Sequence, residues 1–457
     1  MIDPDIKKEL VQVVGDARYL DHDEELTCFA YDAYVVEALP EAVIFPVCTR
    51  EVSQVMKIAA RAKIPVTARG AGTSVCGAPV PVKKGIVLCF TKMDKILEVN
   101  PRDRYVIVQP GVINGDLQKA LAPHGFFYPP DPGSMSVSTI GGNVAQNAGG
   151  PRCLKYGVTV DYILGMEVVL ASGKVVRFGS RNVKDVVGYK LSSLFCGSEG
   201  TLGLVTEIIL RVIPVPESVR TIMATFDDLN NTARAVSDII GAGILPAAME
   251  LMDKLTMNAI EDRMNSGFSR SAEGTLLIEI DGVSEACEKE MGRIIDKVKA
   301  NGATSIREAK SDEERQELWT ARRSAYGTYA KLAPDIVSED ITVPASCVPE
   351  MIRKVIEIAG SHDLRVGVVA HAGDGNIHPM IPGDRSNKQE WARVEAAFAD
   401  MVRAAVELGG TLSGEHGVGL AKSSLLPLVM NRDSLEFLSV IKRAVDPDGL
   451  LNPGKFV

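Results

Sequence analysis

Residues 129–157 read PPDPGSMSVSTIGGNVAQNAGGPRCLKYG, one of the densest clusters of small residues in the chain. Gly133, Ser134, Ser136, Ser138, Gly141 and Gly142 fall within ten positions, and Asp131 is the one acidic residue of the stretch. The pattern predicts a short capped helix with its N-terminus near Ser138 and its end at glycine. Small side chains, hydroxyls and a helix N-terminus suit a long phosphate-bearing ligand. Two other glycine segments flank this one. Residues 67–77, TARGAGTSVCG, follow a predicted strand at 64–69. There Gly70 and Gly72 can turn successive N–H groups onto one anion, and Thr73 and Ser74 add hydroxyls. Residues 195–208, FCGSEGTLGLVTEI, set Gly197, Gly200 and Gly203 before a strand. Any one of these could be a plain turn, but three in one domain fit an extended dinucleotide. Neither G-x-x-x-x-G-K-[ST] nor a G-x-G-x-x-G opening a helix occurs in the first loop. That excludes a nucleoside-triphosphatase loop and a Rossmann fingerprint.

The 457 residues, 46% hydrophobic and 24% charged, describe a globular chain of two or three domains. A net charge of −9 argues against a partner as anionic as nucleic acid or a lipid surface. No run reaches the ~20 apolar residues of a membrane helix, and the opening MIDPDIKKEL lacks the apolar segment of a secretion signal. The expected location is the cytosol. The eight cysteines stand at 28, 48, 76, 89, 153, 196, 287 and 347, with no C-x-x-C among them. They read as reduced thiols and exclude a zinc clip or an iron–sulfur cluster within the chain.

A helix is predicted at 51–63, strands at 86–90 and 105–109, a helix at 114–124, and strands at 163–170 and 204–213. VIPVPES (212–218), with two prolines and no helical pattern, marks a domain boundary. Beyond it, strand–helix–strand occurs twice, at 221–226, 229–241, 246–252 and at 275–281, 284–300, 303–308. Two β-α-β units predict a ferredoxin-like sheet with helices on one face. A helix at 389–408 follows. The expected division is 1–215, 216–420 and a tail, 421–457, that returns to the first domain.

Together RGAGTS, PPDPGS…GGNVAQNAGG and GSEGTLGLVTEI resemble the FAD domain of the vanillyl-alcohol oxidase / p-cresol methylhydroxylase superfamily. Within it the chain is similar, over nearly its whole length and including the closing NPGK, to the FAD-linked D-2-hydroxyacid dehydrogenases. These comprise glycolate oxidase FAD subunits and D-lactate and D-2-hydroxyglutarate dehydrogenases. The resemblance implies an α+β protein, a two-part FAD-binding domain with a ferredoxin-like cap, and FAD as cofactor. It places the pyrophosphate at 69–74 and 133–143 and the flavin ring near 197–205. The implied contacts are Arg69, Gly70, Ala71, Gly72, Thr73, Ser74 and Gly77 in the first segment. In the second they are Pro130, Asp131, Gly133, Ser134, Thr139, Gly141, Gly142, Asn143, Asn147, Gly149, Gly150 and Gly157. Glu199, Gly200, Gly203, Val205 and, from the tail, Asn452 complete them. Some members hold FAD through a histidine at the first loop; RGAGTSVCG has none, so non-covalent FAD is expected.

Three of the six histidines fall in two short motifs. VGVVAHAGDGNIHPMI (366–381) reads as strand, Asp-Gly turn, strand. With Asp374 and Gly375 at the turn centre, His371 would directly face His378, and two imidazoles so placed can chelate one divalent ion. TLSGEHGVG (411–419) supplies Glu415 and His416. Either motif alone fits a polar hairpin; together they favour a His₂Glu centre of His371, His378 and Glu415, and the resemblance matches these to metal ligands. Zn²⁺, Mn²⁺ and Fe²⁺ all suit such a set. His416 is then left for acid–base work, where the resemblance also places the base. A substrate carboxylate needs a cation, which LWTARRSAYG offers in Arg322 or Arg323. The family pattern W-x-x-R selects Arg322, with Tyr326 one turn on. Where hydroxyglutarate-type members carry a lysine this chain has Ser338, which favours a smaller acid such as D-lactate or glycolate.

The expected reaction is oxidation of that acid to the 2-oxo acid. The metal binds the hydroxyl, His416 takes its proton, and the C2 hydride passes to flavin N5. With no cluster ligands of its own, the chain would pass electrons to an electron-transfer flavoprotein, an iron–sulfur subunit or a quinone, and reach a membrane only through such a partner. Two rivals remain: a metal-dependent hydrolase, which leaves the glycine segments unexplained, and a non-catalytic flavin-binding subunit, which should lack the metal motif.

Overall fold

The computed structural model describes residues 2–456. The chain divides into two units: residues 1–149, 158–215 and 415–457 form the first, and residues 150–157 and 216–414 the second. The return to the first unit therefore comes at Glu415, earlier than the expected 421, and residues 150–157 belong with the second unit although Gly150 and Gly157 at their ends are expected cofactor contacts. Ion pairs and hydrogen bonds hold that short stretch there. Lys155 and the Tyr156 hydroxyl both bind the Asp281 carboxylate, and Arg152 lies 3.7 Å from Glu279.

Among the described residues, the first unit has two main sheets and a two-stranded ladder of Phe126–Phe127 with Ile213–Pro214. One contains β1 (Tyr19–Leu20), β2 (Ala42–Ile44), β3 (Val66–Arg69) and β4 (Ile86–Cys89) in the order β1-β2-β4-β3, with β2, β4 and β3 parallel. Helix α1 (Thr49–Ala62) covers it through Val52, Val55, Met56 and Ala59, whose three- and four-residue spacing makes one apolar stripe. The other sheet is antiparallel: β5 (Ile96–Asn100), β6 (Tyr105–Val108), β7 (Ile163–Val169), β8 (Val175–Gly179) and β9 (Leu204–Arg211), ordered β5-β6-β9-β7-β8. The C-terminal tail reaches the first sheet, where Leu451 bridges Val66 in parallel.

The second unit is built on one eight-stranded antiparallel sheet. Its strands are β10 (Ser218–Phe226), β11 (Ala248–Asp253), β12 (Gly274–Gly282), β13 (Ala303–Glu308), β14 (Asp335–Ser338), β15 (Ile341–Thr342), β16 (Gly367–His371) and β17 (Asn376–Gly383). They run β13-β10-β12-β11-β16-β17-β14, with β15 also on β17. The first four have the strand order of a ferredoxin-like sheet, and the histidine hairpin β16–β17 extends it from the β11 edge. Crossover helices α2 (Leu229–Gly241) and α3 (Ser284–Ala300) pack on the sheet and on each other. The expectation of helices on one face only is corrected. The face bearing Met223, Ala248, Met252, Leu277, Val369 and Met380 is covered by α4 (Lys254–Met264) and α5 (Asp312–Arg323) through Met257, Ile260, Leu318 and Trp319. A sheet of this width, apolar on both sides, must bury both. No helix among the described residues is long and apolar enough to cross a membrane.

Candidate functional site

In the first unit the glycine segments are interlocked. Gly70, just beyond β3, has no room for a side chain, because a Cβ there would run into Thr139 Oγ1. Thr139 is the N-cap of a short helix, Ile140–Gln146, and its hydroxyl accepts the Gly142 N–H at 3.2 Å. Gly141 is pressed on Pro110, 2.5 Å from a Cβ that glycine lacks. Gly72 and Gly77 have φ of 76° and 78°, the left-handed region. The helix N-terminus, however, is not open to a phosphate as expected. The N–H groups of Ile140 and Gly141 donate to Val112 and Pro110 carbonyls, and that of Gly142 to Thr139. The helix also ends at Asn147, in the left-handed region at φ 51°, rather than at a glycine. Open donors lie instead in the first loop: the N–H groups of Ala71, Gly72, Thr73 and Ser74 donate to no protein group among the described residues. A cradle of unpaired N–H groups beside hydroxyls fits a pyrophosphate.

Several of the expected contacts make internal ties. Asn143 accepts from Asn114 and donates to Ser138, and Asn114 donates to the Pro130 carbonyl. The Asn147 side chain accepts the Val160 N–H. Arg69 donates to the Tyr31 carbonyl, and Asp131 is buried. Burial pushes the Glu199 carboxyl up, and its oxygens accept the N–H groups of Val418 (2.7 Å) and Gly419 (2.9 Å). Asn452 donates to the Ala78 and Glu199 carbonyls. Gly203 is hemmed in by Val168 and Phe195, and Val205 pairs with Val168 within the sheet. Gly133 has open space around it, Ser134 accepts the Val137 and Ser138 N–H groups, and Gly149 ends the first stretch of this unit; Gly150 and Gly157 fall in the second unit. Gly200, at φ 71°, follows Glu199 on the same clasp.

In the second unit the hairpin register differs from expectation. The turn spans residues 372–375, so His371 faces Asn376, and His378 faces Val369. The slip amounts to two residues, which keeps side chains on their original face where a slip of one would not. The histidines are consequently diagonal neighbours with ring centroids 5.1 Å apart at 88°. Both are buried. His371 Nδ1 donates to Glu250 at 2.8 Å, and His378 Nδ1 donates to the Glu339 carbonyl at 3.3 Å. An imidazole that donates from Nδ1 carries, when neutral, its lone pair on Nε2, the atom a metal ion would take.

Glu250 also binds Arg322 at 2.5 Å, and the Arg322 Nε is buried with no hydrogen-bond partner among the described residues. Burial alone would push the Glu250 carboxyl up, but Arg322 and then His371 hold it below its ordinary value. An arginine with one edge on protein and a buried donor left over is equipped to take an external carboxylate. Tyr326, one turn on, is 41% exposed. Ser338 ends β14 at the sheet edge. Asp340, fully buried, accepts from Asn376 and Ser413 at 2.7 Å and, through its carbonyl, from the Gly414 N–H. It thereby anchors Ser413 and Gly414, the last two residues of the second unit.

Glu250, Glu339 and Asp340 were not foreseen. Glu250 had a signal: AMELMD carries a single charge on the face that otherwise shows Ala248 and Met252, where an apolar residue belongs. The buried Glu339–Asp340 pair, in a short segment read only for Ser338, had none.

Residues 40–179 match the family described as FAD binding domain, and residues 215–456 that of the FAD linked oxidases, C-terminal domain. Among curated proteins, the glycolate oxidase subunit GlcD of Bacillus subtilis (strain 168) is 44% identical over 456 residues, covering 100% of this chain and 97% of that protein. The subunit of the same name from Escherichia coli (strain K12) is 39% identical over 95% of this chain and 87% of its own. A D-lactate dehydrogenase of Anaerostipes hadrus is 34% identical over 98% and 96%. Among solved structures, p-cresol methylhydroxylase with substrate bound has a TM-score of 0.81 at 18% identity, over 99% of this chain and 96% of that one. The last likeness establishes the fold, a p-cresol methylhydroxylase-type α+β architecture.

Proposed function

The chain belongs to the FAD-linked oxidases, and we propose that it oxidises a small D-2-hydroxy acid, D-lactate or glycolate, to the 2-oxo acid. One observation carries the reading beyond the family: two buried imidazoles side by side, one of them, His371, tied through Glu250 to an arginine that has a buried donor to spare. Such a pairing suits a ligand that is at once a chelator and a monoanion, which describes a 2-hydroxy acid.

Arg322 takes one edge of the substrate carboxylate and fixes its orientation. His371, His378 and Glu415 would hold a divalent ion, Zn²⁺, Mn²⁺ or Fe²⁺, which when bound supplies Lewis-acid polarisation of the hydroxyl. The imidazole of His416 accepts the hydroxyl proton as the C2–H bond breaks. FAD, bound non-covalently with its pyrophosphate on the open N–H groups of residues 69–74, supplies the two-electron acceptor for the departing hydride. Ser338 brings no cation for a second carboxylate, which supports a monocarboxylate over hydroxyglutarate. The eight cysteines are all free thiols, so the electrons leave through an external acceptor: an electron-transfer flavoprotein, an iron–sulfur subunit or a quinone.

The test is anaerobic bleaching of the flavin absorbance by D-lactate, glycolate and D-2-hydroxyglutarate in turn. Rapid bleaching by one of the first two is expected. Bleaching by hydroxyglutarate alone would refute the substrate size, and bleaching by none the substrate class.

A further inference from the structure

Glu250 stands in the middle of β11 with no solvent exposure, directly across the ladder from His371. Its strand neighbours on the same face, Ala248 and Met252, belong to an apolar cluster, so packing gives no reason for a charge here. A buried carboxylate is expensive to desolvate and is kept where partners need it. Glu250 has two. Its oxygens lie 2.8 and 3.0 Å from His371 Nδ1, and Oε2 lies 2.5 Å from an Arg322 terminal nitrogen. The first contact fixes which imidazole nitrogen keeps its proton and aims Nε2; the second pins one edge of the guanidinium, whose buried Nε has no partner among the described residues.

The geometry points to Glu250 as a positioning residue shared by both halves of the site, holding His371 in the metal-ligating tautomer and Arg322 in the carboxylate-binding pose. This rests on the metal reading above. Because one carboxylate serves both, its loss disturbs the ion before any substrate is present. Another carboxylate on the same face provides the control. Glu279 on β12 is as deeply buried and accepts from Trp319 Nε1 at 2.7 Å and Thr221 at 2.9 Å, with neither histidine among its partners.

The experiment is a Mn²⁺ titration of chelator-stripped, FAD-loaded protein, counting free ion by electron paramagnetic resonance, for wild type, Glu250→Gln, Glu279→Gln and His378→Ala. The expected result is a loss of about 10–100-fold in Mn²⁺ affinity for Glu250→Gln, the range for removing a group that orients a ligand histidine. Glu279→Gln should bind as wild type does. Wild-type affinity in Glu250→Gln, or an equal loss in Glu279→Gln, overturns the positioning role while leaving the metal site standing. Wild type taking up no Mn²⁺ that His378→Ala abolishes overturns the metal reading, and the Glu250 role with it. Should Glu250→Gln fail to fold, Glu250→Asp, which keeps the charge but withdraws it by one methylene, is expected to show the loss, and wild-type affinity there overturns the proposal.

Discussion

Replacing Gly70 with alanine isolates the contact that locks the first two glycine segments together. Gly70 does not lie in the left-handed region, so alanine meets no backbone strain there, and any loss comes from crowding. The added Cβ would overlap Thr139 Oγ1 and approach Thr139 Cβ to 3.4 Å and Cγ2 to 3.5 Å. The hydroxyl has little freedom to retreat, since it caps the helix through the Gly142 N–H. Overpacking of this kind costs about 1–3 kcal/mol. Losing the cap adds about 1 kcal/mol. Gly70→Ala should thus destabilise the first unit by about 2–4 kcal/mol, and Thr139→Ala alone by about 1 kcal/mol. In the double variant the offending oxygen is gone and only an ordinary Cβ contact remains, so it should lose little more than Thr139→Ala does. Both tryptophans, Trp319 and Trp391, lie in the second unit. Release of FAD fluorescence during urea titration consequently reports on the first unit, and tryptophan emission serves as an internal reference. Strictly additive losses in the double variant would refute the interlock.

Two further outcomes follow from named side chains. His416→Ala should slow anaerobic flavin reduction in a single turnover by about 10²–10⁴-fold, the worth of a positioned base, and unchanged reduction would remove His416 from that role. Burial pushes the Asp253 carboxyl up to about 6, although it caps α4 by accepting the Thr256 N–H and hydroxyl. A raised folded pKa means that the folded state holds the proton more tightly, so this group's contribution is complete below about pH 3.8 and is lost as pH rises through 6. Asp253→Asn keeps the cap and cannot ionise; it should be the more stable protein at pH 7, by up to about 3 kcal/mol, and lose that advantage near pH 4, as tryptophan-monitored urea unfolding would show. An advantage equal at both pH values would contradict the burial argument.

Much of the architecture is legible locally. The apolar stripe Val52, Val55, Met56, Ala59 announces α1, and two strand–helix–strand patterns announce the ferredoxin-like order, because period and length are properties of neighbouring residues. The glycine-rich loops announce a dinucleotide through steric needs that only glycine meets. The face shared by His371 and His378 also follows from sequence, since parity survives a slip of two residues. Longer-range facts do not. The turn of residues 372–375 is fixed by tertiary contact: a Cβ on Gly375 would collide with the Val343 carbonyl, so the neighbouring chain shapes the turn. The helix at 140–146 has its first N–H groups taken by Val112 and Pro110, which no local pattern foretells.

By itself, then, the sequence determined many of the longer elements and the face that His371 and His378 share, because each depends on residues a few positions apart. Only the tertiary structure decided what those side chains meet. Glu250 reaches His371 across 121 positions of chain and Arg322 from another element, and Glu199 clasps Val418 across 219. Partners so distant are chosen by strand order and sheet register, and the energy that selects them comes from burying whole faces, a quantity that no single segment carries.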